Sequence, residues 1–208
     1  MTNIKDSNAL QFSYILVTIS WLSSLIGIIL VPALFLFTLL SDSALASSFT
    51  LNFPISTDVI LFSPENTVSF MDIDSAMASA QAGYVADNYF WSFFAVALIA
   101  TIAALLIFYT VHQTRNLLKD IRKNEIFTHA NTNRIKKIAI AILALSPMRW
   151  LYHLSLISPF ESYLQENSVA IEVGSADFGL ISIGLLNYIL ALIFERGQQQ
   201  YDELRHTV

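Results

Sequence analysis

Cysteine is absent from this chain of 208 residues, which excludes disulfides, thiolate metal sites, iron–sulfur clusters and thiol redox chemistry. Charge is scarce too: Asp, Glu, Lys and Arg make up 13% of residues, against roughly a quarter in an ordinary soluble domain. The sequence has no H-E-x-x-H, no G-x-S-x-G and no glycine-rich phosphate loop. Its histidines, His112, His129, His153 and His206, do not form a ligand set, because only His153 lies inside an apolar run and no pair at one depth is available to hold haem. No Asp or Glu lies within those runs, which removes paired-acid chemistry and the usual proton relay. The expectation is a protein that is not an enzyme and carries no metal and no cofactor. No internal repeat is evident, which weakens an inverted-repeat transporter reading.

What is abundant is apolar sequence. Hydrophobic residues make up 55% of the chain and the mean hydropathy is +0.58. Four runs, near 12–40, 89–111, 138–157 and 178–194, each reach the roughly 17–20 residues that cross ~30 Å of hydrocarbon. The expected fold is an all-α membrane protein, a four-transmembrane-helix bundle forming one domain over 1–208. The first run is over-long, so it must tilt, lie partly at an interface or project, and Pro32 predicts a kink in it. Ala44-Leu45-Ala46 has the form of a signal cleavage site, but the apolar stretch before it far exceeds the ~7–15 residues of a signal peptide core. Small residues share a helical face in the first run (Ser20, Ser24, Gly27, Val31) and in the second (Ala97, Thr101, Ala104), a spacing that lets helices approach closely.

The few charges are segregated. No Lys or Arg occurs between Ser41 and Phe90 or between Ser158 and Asp177, and those loops hold ten of the 16 acids; Gln113 to Lys137 holds seven of the 11 basic residues. Basic excess marks the cytoplasmic side, so both termini are expected inside, with outer loops 41–88 and 158–177, an inner hairpin 112–137 and an inner tail 195–208. The net charge of −5 conceals this division and says little about partners.

In the first outer loop, alternation at Phe49, Leu51, Phe53 and Ile55, and the turn-like Ser63-Pro64-Glu65-Asn66 between Val59–Phe62 and Thr67–Phe70, predict short strands. These would form a small β-like cap, followed by an Ala-rich helical piece from Asp74 to Ala82. On the inner side the second run continues as an amphipathic helix, with Leu117, Leu118 and Ile121 apolar and Arg115, Lys119, Arg122 and Lys123 charged. A turn at Asn124-Glu125-Ile126-Phe127 follows, and Thr128 caps the next helix, which enters the third run through Asn131, Arg134, Ile135, Lys136 and Lys137. Two readings of this basic hairpin stand side by side: a topology signal touching anionic lipid, or a face for a protein partner that includes Phe127 and Glu195. Direct nucleic-acid binding is disfavoured, because the charges hug the membrane without interleaved aromatics.

Arg149 is the one basic residue inside a run. A charge near the middle of a bilayer costs ~2.5–3.5 kcal/mol on translocon scales, so such a residue normally faces protein or a wet cavity. Ser146, Trp150 and His153 share its helical side. In the fourth run Asn187, beside Tyr188, falls at a depth matching Arg149, so the polar faces of the two helices are expected to pair. Two readings remain open: a pocket for an anionic ligand or headgroup, with Glu172 or Asp177 as counter-charge, or a buried polar network that fixes helix register.

The stretch Leu117 to Thr128, followed by Asn131, Arg134 and Ile135, resembles the basic helix, Phe turn and Asn-containing re-entry of the bacterial four-span domain-of-unknown-function family 2975. Ile193-Phe194-Glu195-Arg196-Gly197 is similar to that family's Phe-acid-base-Gly exit, and Asp202-Glu203-Leu204 with Thr207-Val208 to its acidic tail ending in Thr-Val. The end itself, Leu204-Arg205-His206-Thr207-Val208, departs from that acidic pattern. The resemblance implies a bacterial inner-membrane protein, often encoded beside small helix-turn-helix regulators, and hence a membrane partner of a cytosolic transcription regulator. The alternative expectation is a small oligomeric transporter or lipid- or anion-binding component that uses Arg149, His153 and Asn187.

Overall fold

A computed structural model describes residues 8–40, 50–62, 68–123, 125–126, 128–158, 169–170 and 177–206. In chain order the elements are α1 (Asn8–Leu40), β1 (Thr50–Phe62), β2 (Val68–Gln81), α2 (Ala82–Asn88), α3 (Phe90–Arg122), α4 (His129–Ile157), β3 (Val169–Ala170) and α5 (Phe178–His206). α1, α3, α4 and the Phe178–Gln200 part of α5 are long and apolar enough to cross a membrane. Large apolar side chains stay exposed along them, among them Ile29 at 66% and Leu186 at 65%. Water penalises such a surface at ~25 cal/mol per Å², whereas hydrocarbon does not.

Local chemistry sets the helix ends. Thr128 Oγ1 accepts from the Asn131 N–H at 3.2 Å, making Thr128 the N-cap of α4. Asp177 caps α5 in the same way, its Oδ1 accepting from Leu180 N–H at 3.2 Å. At the other end of α3, the Glu125 N–H donates to the Asp120 carbonyl at 3.0 Å, the six-to-one bond that closes a Schellman cap. α5 continues as helix through His206, so the segment read as a tail is mostly an extension of the fourth span. Asn124, Phe127, the 63–67 turn, Glu172, Thr207 and Val208 lie outside the described residues.

The contacts divide the chain into two units. The first comprises residues 1–31, 101–147 and 177–208, the second 32–100 and 148–176. Pro32 and Pro147 lie at this division within α1 and α4, where a proline removes one helical hydrogen bond.

In the first unit α1 packs on α3 and α4 on α5. Tyr14, Trp21 and Ile28, at seven-residue steps, are the half-buried side of α1. The small stripe expected there does not mark a close approach: a Cβ on Gly27 would meet nothing within 4 Å, and Ser20 is exposed, its hydroxyl donating to its own helix. The close approach occurs instead at Gly184, where an added Cβ would lie 2.7 Å from Leu143 Cγ and 3.2 Å from the Leu143 backbone nitrogen. Gly184, Ala191 and Gln198 recur every seven residues and are all buried, giving α5 a continuous seam toward α4.

In the second unit Val85, Phe93, Val96 and Leu156 are fully buried, with Ala82, Ala86 and Ile157 nearly so. Phe35, Leu51, Tyr89 and Tyr152 pack around them, and Phe35 meets Phe93 edge-on at 5.3 Å. β1 lies between β2 and β3, antiparallel to both, with a register irregularity between Ile55 and Thr57 beside the β3 pairing. Here the expectation of helix over Asp74–Ala82 is corrected: the chain is strand through Gln81 and helix only from Ala82. Ala80 pairs with Leu51, Ala78 with Phe53 and Ala76 with Ile55. Backbone bonds supplied by β1 outweigh the modest intrinsic preference of alanine for helix.

Candidate functional site

The residues singled out around Arg149 fall into different units. Arg149, Trp150 and His153 belong to the second; Ser146, Asn187 and Tyr188 belong to the first. Arg149 is exposed, and Trp150 is 41% exposed. His153, one turn further along α4, is 9% exposed; its Nδ1 has no hydrogen-bond partner among the described residues. Its ring stands edge-on to Tyr152 at 5.5 Å. Ser146 is 2% exposed and Tyr188 38%. Asn187 donates its amide to the Ile183 carbonyl of its own helix at 2.8 Å. Asp177 Oδ1 accepts from the Leu180 N–H at the start of α5.

The basic hairpin is more closely knit than its sequence indicated. Arg134 is ion-paired with Asp120 across the α3–α4 connection and also donates to Asn131 Oδ1 at 2.8 Å. Asn131, fully buried, donates its amide to the carbonyls of Glu125 at 2.6 Å and Ile126 at 3.3 Å. One carboxamide thereby satisfies two turn carbonyls that leave the helices unpaired. Toward α5, Lys136 pairs with Glu195 at 2.8 Å, and Thr132 donates its hydroxyl to Gln198 Oε1 at 3.4 Å. Lys119, Lys123 and Lys137 are exposed.

A second polar cluster, on the α1–α3 face, escaped sequence reasoning. Trp21 Nε1–H donates to His112 Nδ1 at 3.2 Å, so that Nδ1 is the acceptor, while Nε2 lies 3.0 Å from the Asn116 carboxamide. Phe108 stacks on His112 at 5.9 Å, the Arg115 guanidinium lies 4.6 Å above the Trp21 ring, and Arg122 lies 4.6 Å above Tyr14. In the sequence His112 lies at the boundary of an apolar run, outside any ligand set. The available signal was spacing: Tyr14 and Trp21 are seven apart, as are Arg115 and Arg122, so each pair lies on one helical face. A groove of about 350 Å³ runs along α5, lined by Ile189, Leu192, Ile193, Glu195, Arg196 and Gln199; its last three residues belong to the segment read as the inner tail. Among the described residues no three His, Cys, Asp or Glu side chains come together as metal ligands would.

Four apolar helices of spanning length, two of them joined by a short hairpin whose turn is held by Asp120, Asn131 and Arg134, define a multi-pass helical membrane protein. The sequence profile of the family described as protein of unknown function DUF2975 matches residues 72–208, and the chain belongs to that family. No curated protein and no solved structure matches it. The segments that carried the resemblance have a physical role: Asn131 and Arg134 close the hairpin, and Glu195 ties α5 to α4.

Proposed function

We propose that this protein is a non-enzymatic regulator in the bacterial inner membrane, with both termini cytoplasmic, and that its hairpin and the end of α5 form the docking face for a cytosolic helix-turn-helix regulator. The observation that carries this reading is the tying of α3, α4 and α5 at their polar ends. Arg134 links α4 to Asp120 of α3, and Lys136 and Thr132 link α4 to Glu195 and Gln198 of α5. At 1.5 Å per residue the 33 residues of α3 extend roughly 50 Å, well beyond ~30 Å of hydrocarbon, and α5 runs on to His206. A surface held this way moves with the spans, so a lipid, ligand or membrane state that favours one arrangement of the helices alters what a partner meets. The charge bias and the family's association with small regulators support the same reading. An affinity pull-down in mild detergent, comparing the full chain with one lacking Gln198–Val208, tests it. Retention of a DNA-binding protein only by the full chain supports the proposal, and equal retention by both refutes docking through α5.

A second reading rests on His153, whose buried Nδ1 lacks a partner among the described residues. Here the Arg149 and His153 positions of the second unit would serve an anion or lipid in an oligomeric transport component. Arg149→Ala would then abolish a ligand-induced rise in Tm while leaving the protein folded; loss of folding alone would mark Arg149 as structural.

A further inference from the structure

We infer that the polar end of the α1–α3 pair is a binding site for the phosphate of an anionic phospholipid, built by the guanidinium groups of Arg115 and Arg122 on the rings of Trp21 and Tyr14. Both guanidinium groups sit 4.6 Å above their aromatic partners. Stacking of this kind occupies the face of a guanidinium and leaves its edge, with parallel N–H donors, to meet paired phosphate oxygens. Trp21 is itself fixed by its bond to His112, so the platform under Arg115 is oriented in advance. Among the described residues neither arginine is ion-paired to a carboxylate, unlike Arg134 with Asp120 and Lys136 with Glu195. Arg115 Nε is buried without a hydrogen-bond partner among the described residues. Two cations without a carboxylate among the described residues, roughly 10.5 Å apart along α3, with the exposed Lys119 between them on the same face, call for an anion.

The surroundings select a lipid over a soluble anion. The stacked pairs place Trp21 level with Arg115 and Tyr14 level with Arg122. The start of α1 therefore runs beside the charged end of α3. At that level α1 exposes Phe12, Ile15, Leu16 and Ile19, at 63, 56, 48 and 55%. Apolar side chains beside cations, with Trp and Tyr between them, make up the composition of a bilayer interface. There an acyl chain can lie along α1 while its phosphate meets α3; a free phosphate or a nucleic acid has no use for the apolar half. The register also accounts for the excess length of the first apolar run, whose first turns lie at headgroup level instead of within hydrocarbon.

The test is lipid retention by the purified full chain, read by native mass spectrometry after exchange into a mild detergent containing phosphatidylglycerol or phosphatidylcholine. The expected result is retention of phosphatidylglycerol in preference to phosphatidylcholine, with affinity about thirtyfold lower in Arg115→Gln/Arg122→Gln, given the attraction of each cation for an anionic surface. A control variant with the same change in charge, Lys137→Gln/Arg196→Gln, is expected to bind within about threefold of the parent, because those exposed cations lie on other helices. Equal loss in both variants would mean diffuse attraction and overturn the site, as would no loss in the first. Displacement of the lipid by about 10 mM inorganic phosphate would overturn the assignment to a lipid, since charge-assisted phosphate contacts alone would then suffice. If the glutamine variant does not fold, Arg115→Lys/Arg122→Lys decides: about a tenfold loss supports the planar two-donor geometry, and undiminished binding refutes it.

Discussion

Replacing Asn131 by alanine opens the hairpin that joins α3 to α4. The side chain is fully buried and makes three contacts, donating to the carbonyls of Glu125 and Ile126 and accepting from Arg134. Each neutral hydrogen bond contributes about 1 kcal/mol net, and a buried group left without its partner costs ~1–3 kcal/mol. The Arg134 contact is charge-assisted, but Arg134 keeps Asp120 and its side chain is 26% exposed, so this term is held to about 1 kcal/mol. The sum for Asn131→Ala is about 3 kcal/mol of destabilisation. Asn131→Asp keeps the acceptor toward Arg134 and loses both donors, placing a carboxylate against two carbonyls, so it should be at least as damaging. Asp120→Ala breaks a partly exposed pair and should cost about 1 kcal/mol. Asn131 and Asp120 share Arg134, so the double variant should depart from additivity by ~0.5 kcal/mol or more. Reversible unfolding in mixed micelles, followed by helical circular dichroism, measures all four chains. If Asn131→Ala lies within ~0.5 kcal/mol of the parent, or the two changes simply add, the hairpin is not held as described.

Three other expectations follow from the same packing. Gly184→Val should cost about 1–3 kcal/mol through overpacking, because its Cβ would overlap Leu143 Cγ while the nearby Leu143 backbone nitrogen limits retreat; a neutral result in the same unfolding assay would refute the close α4–α5 approach. Lys136→Ala should cost no more than ~1 kcal/mol, since the two side chains of the Lys136–Glu195 pair are 27% and 41% exposed, and a larger loss would show the pair to be shielded from water. Trp21→Phe keeps the aromatic body but loses the donor to His112 and weakens the platform under Arg115. It should lower stability by about 1–2 kcal/mol and reduce phosphatidylglycerol retention, and unchanged retention would separate Trp21 from the lipid.

Much of this was legible in one dimension. Spanning helices follow from apolar runs that need no partner to be recognised, and the basic hairpin from charge counts. The cap at Thr128 follows from a hydroxyl residue placed before a periodic segment. Near Arg149, sequence marked a polar side of α4 through Ser146, Trp150 and His153 but matched Asn187 to it only by counting depth. Counting depth assumes straight, vertical helices. It carries no information about the seam at Gly184 or the bond of Asn187 to its own turn.

The sequence by itself determined which segments form helices long and apolar enough to cross a bilayer and where their polar sides lie, because these depend on composition and on the 3.6-residue period alone. Tertiary structure decided which faces meet: Trp21 with His112 and Arg115, Asn131 with the turn carbonyls, and Gly184 with Leu143. It also turned Asp74–Gln81 into strand. Pairing of faces rests on close packing and hydrogen bonds between residues far apart in the chain, and helical periodicity carries no information about that register.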